Sequence, residues 1–84
     1  MSKIDEAISA VQAAMSQLGD TVSAIGTASA EADEVVSGAV ALGADGVAEA
    51  MSRCKEALDK ANGACGVVSD ALDEAVSAAR SASG

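Results

Sequence analysis

The 84-residue chain has no His, Pro, Phe, Tyr or Trp, and it is rich in Ala, Ser and Gly. A single domain of this size with few large apolar side chains gains little from burial, so we expect it to need a second copy or a partner. The formal net charge of -8 disfavours nucleic acid and anionic membrane surfaces, since both recruit Lys and Arg. Without His, aromatic side chains or a nucleophile–base pair, we predict a non-enzymatic protein with no cofactor and no metal.

The N-terminus passes directly from Met1-Ser2-Lys3 into an amphipathic pattern that includes Asp5 and Glu6. This pattern does not resemble a secretory signal peptide, and no unbroken apolar stretch is long enough to span a bilayer. The expectation is a cytoplasmic protein, or one exported without a cleaved signal peptide.

Hydrophobic periodicity is the strongest signal in the sequence. In the first half, apolar residues alternate four and three positions apart, which predicts a helix with a coiled-coil stripe. The members of this stripe are Ile4, Ile8, Val11, Met15, Leu18, Val22, Ile25, Ser29, Ala32 and Val36. The second half repeats the spacing at Val47, Met51, Cys54, Leu58, Ala61, Cys65, Val68, Leu72, Ala75 and Ala79.

The two stripes are separated by the segment Leu42-Gly43-Ala44-Asp45-Gly46. Gly43 can adopt the left-handed conformation that ends a helix, and Asp45 is a candidate N-cap for the next one. We therefore predict an all-α antiparallel hairpin in a single domain, residues 1–84, with helices over about 3–40 and 47–81 and a turn over about 41–46.

Folding the chain at this turn places Leu18 opposite Val68 and Ile25 opposite Ala61. It also places the acidic cluster Glu31, Asp33 and Glu34 near the basic pair Arg53 and Lys55, with Glu34 opposite Arg53 and Glu31 near Lys55. The competing architecture is a bundle of four shorter helices, broken near Gly19 and between Asn62 and Gly66, because Gly weakens helices. The hairpin is favoured because the stripe keeps its phase through these glycines.

A further stripe of small residues lies beside the first on each predicted helix. Its members predict an association face, since wide stripes of small residues are typical of multi-helix packing. The residues assigned to this face are Ala7, Ala14, Ala28, Ala50, Ala57, Ala64, Ala71 and Ala78. We expect two hairpins to pair through it into a four-helix bundle, as a homodimer or with a related hairpin.

The two cysteines, Cys54 and Cys65, lie about 16 Å apart along one predicted helix, beyond the reach of a disulfide. Both belong to the apolar stripe, where a thiol packs as a small hydrophobe; an intermolecular disulfide is the alternative. The acidic groups Glu31, Asp33, Glu34 and Asp70, Asp73, Glu74 are interpreted as solvated surface.

In length and in having a hairpin that turns near its midpoint, the chain resembles the small Trp-X-Gly helical hairpins exported by type VII secretion systems. Ala41-Leu42-Gly43 occupies the place of their Trp-X-Gly motif, with Leu42 in the position of the Trp. The resemblance implies antiparallel hairpins that pair into four-helix bundles. No Tyr is present to form the C-terminal export signal of that family.

Two functional hypotheses follow. The first is a helical protein–protein interaction module acting as a small secretion substrate, chaperone or adaptor. The alternative is an amphipathic coat or scaffold protein on a hydrophobic surface, similar to phasins, which would remain loosely associated until lipid or polymer is added.

Overall fold

The computed structural model describes residues 2–83 and shows two long helices, α1 (Lys3–Ala41) and α2 (Asp45–Ser83), each of 39 residues. They pack side by side as a rod with extents of 62 × 17 × 11 Å. The predicted all-α hairpin is confirmed. Neither helix breaks at Gly19 or between Asn62 and Gly66, so the alternative of four shorter helices is wrong. Packing along the continuous stripe outweighs the low helix propensity of the glycines.

The start of α1 is stabilised by local hydrogen bonds and charges. The Ser2 hydroxyl oxygen accepts a hydrogen bond from the backbone N–H of Asp5 at 3.1 Å, which makes Ser2 the N-cap. Asp5 and Glu6 lie in the first turn, where the helix dipole favours negative charge.

The connection between the helices is short and well hydrogen-bonded. Gly43 has a φ of 73°, and its N–H donates to the carbonyl of Val40 at 3.1 Å, while the N–H of Ala44 donates to the carbonyl of Ala39 at 2.8 Å. This pair of bonds is a Schellman motif, which requires the left-handed conformation that Gly adopts without strain.

Helix α2 begins two residues earlier than predicted, because the carbonyl of Ala44 already accepts a bond from the N–H of Ala48 at 3.1 Å. Asp45 and Gly46 consequently lie in the first turn of α2 instead of in the connection. Asp45 was predicted to cap this helix; within the first turn its carboxylate still interacts favourably with the helix dipole.

The core of the hairpin is a single stripe on each helix. On α1 it follows the predicted residues, which are buried or half-buried apart from the more exposed Val22. On α2 the prediction is wrong for four of the ten residues: Met51, Leu58, Ala61, Cys65, Leu72 and Ala79 are half-buried, whereas Val47, Cys54, Val68 and Ala75 are exposed. The side that faces α1 is instead formed by the residue that follows each of the exposed ones. These residues are Ala48, Lys55, Ser69 and Val76.

The error on α2 has a geometric cause. Val68 and Ser69 lie three and four positions after Cys65, so both fit the coiled-coil spacing, and the more apolar residue was preferred. The tight connection instead fixes the rotation of α2 so that Ala39 and Ala48 pack next to the turn, and both are buried. Further along, Val76 is 7% exposed and Val68 is 46% exposed.

Candidate association face

The hairpin has two sides, and the residues at its grooves define one of them. A cavity of about 350 Å³ is lined in part by Gly19 and Gly66, which directly follow the core residues Leu18 and Cys65. A second groove of about 290 Å³ is lined in part by Gln12, Asp73 and Arg80, each of which also directly follows a core residue. We call this the groove side.

The residues that directly precede core residues must lie on the opposite side, because neighbours along a helix are rotated by about 100°. On α2 most of them, together with Ala61 and Ala82, form an uninterrupted apolar series with alternating spacings of three and four. This second seam consists of Val47, Ala50, Cys54, Ala57, Ala61, Ala64, Val68, Ala71, Ala75, Ala78 and Ala82. All of them are exposed except Ala61, which is half-buried.

Helix α1 contributes a narrower strip to the same side. Its members are Ala7, Ala14, Thr21, Ala28 and Val35, of which Ala28 is half-buried and the others exposed. The Thr21 hydroxyl donates to the carbonyl of Gln17 at 3.1 Å, so this polar group can be covered without losing its partner. The strip and the second seam together form what we call the apolar face; none of its residues is charged, and Lys3, Gln17 and Glu31, which also precede core residues of α1, border it.

All eight alanines predicted for association lie on the apolar face. The structure adds Val47, Cys54, Val68 and Ala75, which the sequence pattern had assigned to the core. Their exposure makes the face larger and more apolar than the alanines alone. The sequence contains a signal for the larger face, since the second seam is a coiled-coil series in its own right. The sequence analysis assigns part of this series to the core and part to the surface.

An ion pair links the two helices on the groove side. Lys55 bonds to the carboxylate of Asp33 across the two helices, and this hydrogen bond raises the pKa of Lys55 above its ordinary value. Of the predicted attraction between the acidic cluster and the basic pair, only the part at Lys55 is formed, and through Asp33; the salt bridges of the described residues do not include Arg53. The predicted partner Glu31 is replaced because Asp33 directly follows the buried Ala32 on the groove side, toward which the Lys55 side chain extends.

The two cysteines lie in different surroundings. Cys65 is half-buried and lines the larger groove, while Cys54 is exposed, contrary to the expectation that it packs in the core. Within residues 2–83, no group of three or more Cys, Asp or Glu side chains is placed to hold a metal ion. Over the same residues, neither helix is apolar enough along a sufficient length to cross a membrane.

Comparison of the chain with protein-family models, with curated proteins and with solved structures finds no match.

Proposed function

We propose that this chain is a non-enzymatic self-association module, in which two hairpins pack through their apolar faces into a four-helix bundle. The observation that carries the proposal is the second seam, an uncharged and exposed coiled-coil series along nearly the whole of α2. A coiled-coil stripe of this kind stabilises a helix only when another helix covers it.

The surface area of the hairpin supports the proposal. Its accessible surface is 5556 Å², whereas a compact monomer of 8.1 kDa exposes about 4,500 Å². The excess of about 1,000 Å² is similar to the ~800 Å² that each partner buries in a standard interface. The radius of gyration of 18.9 Å, against about 12 Å for a compact domain of this length, also describes a rod with too little interior.

The thinness of the core points in the same direction. Among the described residues, the buried apolar side chains are Ala32, Ala39, Ala48 and Val76, and none is fully buried. Three of these four are alanines, which contribute little hydrophobic stabilisation. A second hairpin on the apolar face would convert half-buried and exposed residues into a shared core. As a bundle, the protein would act as a small secretion substrate, chaperone or adaptor.

Light scattering coupled to size-exclusion chromatography at several concentrations, with and without reductant, tests the proposal. The expected result is a dimer whose mass does not depend on reductant and whose thermal transition is sharp and shifts upward with concentration. A cooperatively folded monomer at all concentrations would overturn it. A loosely associated monomer that becomes ordered on a lipid emulsion would instead favour the coat function.

A further inference from the structure

We infer that the dimer is built around α2: the second seam packs against the same seam of a second copy, the two helices run antiparallel, and a two-fold axis lies level with Gly66. This inference rests on the proposed function and specifies its partner, orientation and register.

The two helices differ in how apolar their exposed stripes are. The stripe on α1 that corresponds to the second seam is interrupted by Lys3, Gln17 and Glu31. If α2 packed against α1 of the partner, some of its alanines would face these polar and charged groups, whose desolvation is unfavourable. Packing α2 against α2 of the partner brings two uncharged seams together, and in a two-fold dimer the same surface serves both subunits.

Charged residues line the edge of the second seam. The residues on this edge, one heptad apart, are Arg53, Lys60, Val67, Glu74 and Ser81, and all are exposed. The edge is thus basic in the first half of α2 and acidic in the second. In a parallel pair the two copies of this edge would lie on opposite sides of the interface, so Lys60 would face no acidic edge. An antiparallel pair places it near Glu74 of the partner subunit, so charge complementarity favours the antiparallel arrangement.

The charges and the seam select the same register. With the axis level with Gly66, residues at equal sequence distances from Gly66 face each other. Ala64 then meets Val68 of the partner subunit, so that a small residue faces a larger one in the seam. Measured along the helix axis, Lys60 and Glu74 of the partner subunit are then only about 3 Å apart.

The same register accounts for an exposed apolar residue that the hairpin leaves uncovered. Val67 is 71% exposed in the single hairpin and lies on the edge between the basic and acidic halves. Near the two-fold axis it meets Val67 of the partner subunit. Since the seam is built mostly of alanines, the two helices can approach to about 8 Å, the close end of the usual range.

Disulfide trapping tests the orientation, because Cys54 belongs to the second seam. The antiparallel register places Cys54 opposite Ala78 of the partner subunit and about 36 Å from the partner's own Cys54. In a Cys65→Ala background, Ala78→Cys is therefore expected to give a covalent dimer on mild oxidation. We expect no crosslink in the background chain alone. We also expect none in the matched control Ala71→Cys, because Ala71 lies one heptad away from Ala78, the residue level with Cys54 of the partner subunit.

The outcomes separate this inference from the proposed function. Crosslinking of the background chain through Cys54 alone would show a parallel pair and overturn the inference. A dimer by light scattering in which Ala78→Cys does not crosslink would also overturn it, while the proposed dimerisation stands. A monomer by light scattering would overturn both. Retained helicity by circular dichroism shows that each variant remains folded.

A charge reversal gives a second readout that does not depend on thiols. Lys60→Glu is expected to weaken dimerisation by about two- to fivefold, as for an exposed ion pair, because it places two acidic groups together. Adding Glu74→Lys to the same chain restores the attraction with the signs exchanged, and we expect the affinity to recover. Failure of the double variant to recover would overturn the antiparallel register.

Discussion

The two sides of the hairpin carry different residues although they belong to the same two helices. The groove side carries Gly19, Gly66 and the Asp33–Lys55 pair, and its cavities remain open to solvent. The apolar face carries alanines and valines in continuous series and no charge. Since both sides have the same backbone geometry, the difference lies in side-chain chemistry alone. The difference teaches that a hairpin with a buried stripe can still expose an uncharged apolar face, which is the surface on which the proposed dimerisation depends.

The largest effect is expected from placing a charge on the apolar face. Ala71→Glu would bury an unpaired carboxylate between the two hairpins, which costs several kcal/mol, so we expect the dimer dissociation constant to rise more than ~100-fold. Ser77→Glu is the matched variant, since Ser77 lines a groove on the other side of the same helix. It should leave the dimer intact. Sedimentation equilibrium measures both, and equal effects would abolish the distinction between the sides.

Truncating a core leucine and an exposed leucine tests which residues form the core between the two sides. Leu72 is half-buried, and Leu72→Ala should lower the free energy of unfolding by about 2 kcal/mol, the low end of the range for buried Leu. Leu42 is 86% exposed, so the same change there should cost less than ~0.5 kcal/mol. Chemical denaturation monitored by circular dichroism gives both values. A loss at Leu42 as large as that at Leu72 would contradict the assigned core.

Glycine substitutions test whether the groove side needs open space. A Cβ at Gly66 would have no heavy atom within 4 Å, so Gly66→Ala should stabilise α2 by about 0.5–1 kcal/mol and leave dimerisation unchanged. The same substitution at Gly43 should destabilise by about 1 kcal/mol, because its φ of 73° is unfavourable for Ala. Thermal unfolding measures the two shifts, which must have opposite signs.

The smallest effect concerns the ion pair between Asp33 and Lys55. Because the pKa of Lys55 is raised in the folded chain, the pair stabilises the hairpin below the ordinary pKa of Lys, and this contribution is lost as pH rises through the raised value. The melting temperature of the wild type should exceed that of Asp33→Asn slightly near neutral pH, and the difference should vanish well above pH 10.5. A difference that persists in strong alkali would show that Asp33 acts by some other contact.

Much of the fold was predictable because it depends on local and periodic signals. The stripe on α1 identified its buried side, and Gly43 marked the place where the helix ends. The alanines of the apolar face were also recognisable as a set, since small residues at coiled-coil spacing form a regular pattern; that they serve association stays a prediction. The prediction failed at Val47, Cys54, Val68 and Ala75, where two alternative stripes satisfied the same spacing on α2.

The sequence by itself determined that this protein is helical, that it turns near Gly43, and that its apolar side chains are too small to give one hairpin a substantial core. These properties follow from residue composition and from spacing along a single helix. Only the tertiary structure decided which of the two stripes on α2 faces α1, because the rotation of one helix against the other is set by the Schellman turn and by packing around Ala39 and Ala48. That rotation turned Val68 outward, and it left a complete seam exposed on α2.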